Sequence, residues 1–221
     1  MLNERDLKII RYVETFGFIT ISQCYKMFFR ERAYGYDLAR KRLAKLQEKG
    51  HLYSRIDYLE KYPEKIYFID EEYSSPSKHT ILVMNALAEV YKLDAEVRYF
   101  SREQEWLDGE RRSDGYIIFR INNYFYQLFV EIEGGTTKKK VSRETVTEDF
   151  NQKYTDIIDS NEPLYLAYDC LNLQPQDYDK LQLLTRVLVV DNVIHTSPWY
   201  VDGHKVIQVD FSYKQFGQIL I

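Results

Sequence analysis

Tyr36-Asp37-Leu38-Ala39-Arg40-Lys41-Arg42-Leu43-Ala44-Lys45-Leu46-Gln47-Glu48-Lys49-Gly50 reads as a helix with two faces. Ala39, Leu43 and Leu46 form an apolar line, Arg40, Lys41 and Lys45 lie away from it, and Arg42 borders it. Gly50 is a natural stop. Upstream, Asn3-Glu4-Arg5-Asp6 offers a cap with an acid three residues on, followed by Leu7, Ile10, Val13 and Phe16 at helical spacing and a closing Gly17. Ile21-Ser22-Gln23 opens a second helix through Tyr25, Met27 and Phe28. Downstream, His51–Ile56 and Lys65–Ile69 alternate with period two around a polar, proline-containing turn, which predicts a β-hairpin. Three short helices and a hairpin in this order predict a winged helix-turn-helix over residues 1–72. Its third helix would enter a DNA major groove.

Charge separates this reading from that of a protein-binding module. Residues 1–70 hold 14 Lys and Arg against 10 Asp and Glu, a net +4, while the remainder holds 16 against 24, a net −8. A positive module on an acidic body is expected when one end meets phosphate and the other does not. The residues expected on duplex DNA are Tyr36, Arg40, Lys41 and Lys45 of the third helix, with Arg55, Lys61 and Lys65 of the wing touching the backbone.

At 221 residues the chain suits two domains, with a linker-like Glu71–Ser77 between them. Cys24 and Cys170 each read as small buried hydrophobes, the first in an apolar helix and the second in an apolar strand. No apolar run reaches transmembrane length and no signal sequence begins the chain, so the expectation is a cytoplasmic protein without a membrane partner. His51, His195 and His204 lack zinc spacing, and no glycine-rich phosphate loop follows a strand. His79, at a helix start, reads as a surface or capping residue.

The second domain, residues 77–221, begins with a helix capped by Ser77 and carrying Ile81, Met84, Leu87, Ala88 and Tyr91 on one stripe. Glu96–Phe100 predicts a strand, and Asp114–Ile121 with Tyr126–Glu133 predict a hairpin across Asn122-Asn123. A polar helix is expected over about Arg143–Ile158, then a doubly buried strand Leu164–Tyr168, a helix near Asp177–Thr185 and a strand Val187–Val190. The fold class is therefore α+β. The order α-β-β-β-α-β-α-β, with an acid at the start of the second strand and two at the end of the third, resembles the restriction-endonuclease-like fold. That resemblance implies Asp114 and Glu131 as ligands of Mg²⁺ or Mn²⁺, with a lysine beside them assisting the attacking water. The lysine position, two after Glu131, holds Glu133, and an acid cannot neutralise a phosphorane as an ammonium does. Lys139, within Lys138-Lys139-Lys140, is the candidate for a displaced cation, against a solvated basic loop.

The motifs also follow one another in a telling order. A winged helix precedes a helix with His79-Thr80 and Asn85, then Ser113-Asp114-Gly115, then Glu131-Ile132-Glu133-Gly134-Gly135-Thr136-Thr137, then a helix ending in Lys153-Tyr154. In this order residues 1–160 resemble the replication-relaxation family of Gram-positive plasmids and integrative elements, with Ser113 where that family usually has Pro and Gly134 where it often has Arg. The resemblance implies a double-stranded DNA-binding accessory or regulatory protein of a mobile element, acting in plasmid replication, DNA relaxation or conjugative transfer. The expected partners are duplex DNA and a relaxase or replication initiator, with a second copy of the chain as a further candidate. With Glu133 in the lysine position the expectation is a non-enzymatic role that requires no cofactor. The other readings are a metal-dependent nickase using Asp114 and Glu131, with Glu133 and Lys139 as further catalytic candidates, and a winged-helix transcriptional repressor.

Overall fold

The computed structural model describes residues 2–58, 63–133, 152–181, 183–191, 199–201 and 204–210. The chain is α+β and divides into two compact units, Met1–Leu93 and Asp94–Ile221. Counted by these bounds the first carries 16 Lys and Arg against 13 Asp and Glu, and the second 14 against 21, which keeps the charge asymmetry. Among the described residues no helix is long and apolar enough to cross a membrane.

In the first unit α1 spans Glu4–Phe16 and starts on a reciprocal cap: Asp6 donates its backbone N–H to the Asn3 side chain at 2.9 Å, and Asn3 returns its own to the Asp6 carboxylate at 2.7 Å. Its buried face is Asp6, Ile9, Tyr12 and Val13, whereas Leu7, expected on the apolar line, is 44% exposed. The line is turned because Asp6 faces inward, where it meets the guanidinium of Arg42. Strand β1 (Phe18–Thr20) leads into α2 (Ile21–Cys24), capped reciprocally by Thr20 and Gln23, and the helix widens to a π-turn over Tyr25–Phe29. Helix α3 covers Gly35–Glu48 and buries Ala39, Leu43 and Leu46, as its spacing predicts. Strands β2 (Tyr53–Tyr58) and β3 (Pro63–Phe68) pair antiparallel, and β3 also pairs with β1, giving a sheet of order β1-β3-β2.

The Asp6–Arg42 pair ties the start of α1 to α3. Burial opposes ionisation of Asp6, but hydrogen bonds from Arg42 and the Asn3 amide hold its carboxyl below the usual range. A depressed folded pKa contributes stability that is complete above the unfolded value and disappears as pH falls through the folded one. Asp6→Asn should therefore cost about 2 kcal/mol at neutral pH. Urea midpoints of the two proteins should converge in acid; a constant difference at every pH would contradict the ionic contribution.

Helix α4 (Lys78–Lys92), expected to open the second domain, belongs to the first unit. Lys26 Nζ meets Glu89 Oε1 at 2.5 Å with side-chain exposures of only 4% and 10%. Gln23 donates to Asn85 Oδ1 at 2.9 Å. An amphipathic stripe shows that a helix is covered, not which neighbour covers it, so the boundary falls after Leu93 rather than before Ser77.

The second unit is built on β4 (Glu96–Trp106), β5 (Arg111–Ile121), β6 (Tyr124–Glu133), β7 (Leu183–Asp191), β8 (Trp199–Val201) and β9 (His204–Asp210). The sheet order is β4-β5-β6-β7-β9-β8. The β4–β5–β6 meander is antiparallel, β6–β7 and β7–β9 are parallel, and β8 runs antiparallel to β9, so the sheet is mixed. Helix α5 (described over 152–159) and α6 (Glu162–Cys170) supply Tyr154, Ile157 and Ala167 to the core around Trp106, Tyr116 and Phe129. A buried polar chain crosses three strands: Tyr116 donates to Gln127 Oε1 at 2.7 Å, and Gln127 Nε2 donates to Thr185 Oγ1 at 2.6 Å.

Two expectations change. Leu164–Tyr168 is helical, within α6, and not a strand. It starts with Pro163 in the first turn, after Asn161 in a left-handed conformation, and Tyr165 remains 60% exposed, so the run is not buried all round. Cys170 accordingly ends a helix, and it is a free, partly exposed thiol. The helix expected near Asp177–Thr185 is a 3₁₀ segment, Pro175–Lys180, after which β7 begins at Leu183.

Candidate basic face and acidic centre

On α3, Arg40 and Lys41 are exposed and share Asp37: Arg40 reaches Oδ1 at 2.6 Å and Lys41 reaches Oδ2 at 2.7 Å. Hydrogen bonds from Lys41 and then Arg40 hold Asp37 below the usual carboxylate range. Exposed pairs of this kind contribute little, so both cations can be redirected to another anion at small cost. Lys45 is exposed on the same helix, and Tyr36, near its start, is 44% exposed. Arg42 is committed to Asp6.

The charges of the β2–β3 hairpin, expected on a wing, are placed differently. Arg55 donates to the Tyr73 carbonyl at 2.7 Å and lies 5.1 Å from the Phe68 ring centroid. Lys65 donates to Gln47 Oε1 at 3.0 Å and sits 5.1 Å from the Tyr67 ring. Both brace their own unit; Lys61 lies outside the described residues.

The acidic centre forms where β5 and β6 diverge. Their ladder pairs Gly115 with Val130, and one step further the Asp114 carboxylate, not its backbone, accepts the Ile132 N–H at 2.7 Å. Glu131, beside it on β6, receives Lys153 Nζ on Oε1 at 2.5 Å and the Tyr154 hydroxyl on the same oxygen. The Lys153 and Glu131 side chains are 21% and 16% exposed. Burial is the largest influence on Glu131 and pushes its pKa up. The charge of Lys153 pulls it down and that of Asp114 pushes it further up, while the hydrogen bonds from Lys153 and Tyr154 resist the rise.

The two predicted metal ligands, Asp114 and Glu131, are thus neighbours. Glu133 ends β6, with its side chain outside the described residues, as are Lys139 and its flanking lysines. The cation that does reach Glu131 is Lys153 of α5. In the sequence Lys153-Tyr154 stands only as the end of a helical motif. The available signal was its place beside Tyr154, which with Ile157 forms the buried edge of that helix. Among the described residues no three His, Cys, Asp or Glu side chains converge. Two carboxylates nonetheless suit Mg²⁺, which keeps several waters and binds through one or two carboxylates plus substrate phosphates.

No protein-family model and no curated protein matches the chain. A solved structure to which it is similar is that of the restriction endonuclease FokI, with 13% identity and a TM-score of 0.25 over 83% of this chain and 36% of that one. The chain thus spans about a third of that enzyme's length.

Proposed function

We propose that the protein binds duplex DNA through a winged helix-turn-helix within its first unit. We further propose that it acts on DNA at a restriction-endonuclease-like centre of Asp114, Glu131 and Lys153, in the replication, relaxation or transfer of a mobile element. The observation that carries the second half is the Lys153 ammonium on Glu131 beside Asp114. It supplies the positive charge whose lack, with Glu133 in the lysine position, argued against hydrolysis. DNA binding is supported by the exposed Arg40, Lys41 and Lys45 on one helix and by the net positive charge of the unit that holds them.

A divalent cation at Asp114 and Glu131 would neutralise phosphate charge and lower the pKa of a bound water. Lys153 offsets negative charge gathering on the phosphoryl oxygens and orients the attacking water, and partial burial strengthens these electrostatic effects relative to bulk water. Asp114 is kept in place by the Ile132 amide, so it meets a ligand with little reorganisation. The non-enzymatic reading is favoured by Glu133 alone.

Supercoiled plasmid with Mg²⁺ or Mn²⁺ tests this directly. Metal-dependent nicking is expected, with Asp114→Ala and Glu131→Ala abolishing it. Lys153→Met should slow it by about a hundredfold or more, as loss of a transition-state charge partner does. No nicking by the wild type under either metal would return the protein to an accessory role. DNA binding has its own test: Arg40→Ala with Lys41→Ala should flatten the slope of log affinity against log salt by about two units, one per phosphate contact. An unchanged slope would remove α3 from the interface.

A further inference from the structure

We propose that Tyr154 is a positioning residue for Glu131, fixing one carboxylate oxygen so that the other is presented to a divalent cation; this deepens the metal-centre reading and rests on it. Tyr154 is fully buried, with its ring 5.3 Å from that of Phe129 in an edge-to-face arrangement. A buried phenol needs a polar partner, and its hydroxyl donates to Glu131 Oε1. Lys153 Nζ donates to the same oxygen. With both donors on Oε1, Oε2 is the oxygen that neither of them holds.

The two donors differ in stiffness. Lys153 is 21% exposed in its side chain and carries a flexible four-carbon stem, so it can turn to a substrate phosphate. Tyr154 has two side-chain torsions and sits in the aromatic core of Trp106, Tyr116 and Phe129, so its hydroxyl cannot follow. When Lys153 leaves Glu131, Tyr154 keeps the carboxylate in position. Groups that orient a metal ligand from behind typically account for a ten- to hundredfold share of metal affinity.

The test is the affinity of the full chain for Mn²⁺ alone, read from the electron paramagnetic resonance of free Mn²⁺. Tyr154→Phe keeps the ring and its packing and removes only the hydroxyl; it is expected to weaken Mn²⁺ about tenfold. Ile157→Val trims the same core but leaves Phe129, the ring against Tyr154, in place; it is expected to bind Mn²⁺ as the wild type does. Equal affinity of wild type and Tyr154→Phe overturns the positioning role and leaves the two-carboxylate centre standing. An equal loss in both variants assigns the effect to packing and overturns it too. A wild type that fails to bind Mn²⁺ overturns the metal centre itself, and the role of Tyr154 with it.

Discussion

Lys26→Met is expected to destabilise the first unit by about 3–5 kcal/mol, the cost of removing one partner of a buried ion pair. Lys26 and Glu89 are 2.5 Å apart with side-chain exposures of 4% and 10%, so the remaining carboxylate would be stranded away from water. Lys92 lies 3.9 Å from the other Glu89 oxygen but is 41% exposed, too far and too solvated to replace Lys26. Pairing Lys26→Met with Glu89→Leu should recover most of the loss, because two apolar groups of similar volume need no compensation. Hydrogen exchange in the full chain reads this locally. Amides of the π-turn over Tyr25–Phe29 and of α4 should open about a hundred- to a few thousandfold more readily in the single variant, since each 1.4 kcal/mol is a factor of ten. If protection of α4 falls while that of the π-turn does not, the pair does not join these two elements and the boundary after Leu93 loses its chemical basis.

What the sequence revealed follows the range over which each signal acts. Capping and helix periodicity are local, and they located α1, α3 and α4 and the hairpin of β5 and β6 within a residue or a few at each end. The Leu164–Tyr168 run is short and apolar, where helix and strand cannot be told apart by pattern, and Pro163, suited to a first helical turn, is the signal that favours helix. Which unit covers α4 depends on Lys26–Glu89, a pair 63 positions apart in sequence, and a lone buried lysine in an apolar helix gives no sign of its partner. The acids of the candidate centre were legible because strand period and hairpin register put Asp114 beside Glu131. Lys153 was not, since it arrives from a helix whose docking on the sheet is set by Tyr154 and Ile157, and nothing in the spacing fixes that approach. Arg55 and Lys65 show the same limit from the other side. Their charge is plain in the sequence, and their use on Tyr73 and Gln47 is not.

Gly35→Ala should cost about 3 kcal/mol, the upper part of the range for overpacking a closed site. A Cβ on Gly35 would stand 2.3 Å from the Phe29 carbonyl oxygen and 2.8 Å from the Tyr25 ring. The ring can turn, but the carbonyl belongs to the π-turn over Tyr25–Phe29 and cannot move without that turn. Gly17→Ala makes the informative contrast. There the nearest atom, at 2.5 Å, is the hydroxyl of the Tyr73 side chain, which can swing aside, so what remains is the backbone strain of φ +89. Left-handed strain of that kind costs an alanine only about 1–2 kcal/mol. Gly35→Ala should also act beyond stability, because Tyr34, directly before it, is held at φ 59 and is 87% exposed at the start of α3. Opening the turn shifts the first residues of α3, among them Tyr36 and Asp37, and with Asp37 the two cations it gathers, Arg40 and Lys41. Under conditions where both variants are folded, duplex DNA affinity should fall for Gly35→Ala and hold for Gly17→Ala. Equal affinities would mean that the close approach of α3 to the π-turn sets stability alone, and that the proposed DNA face does not depend on where α3 begins.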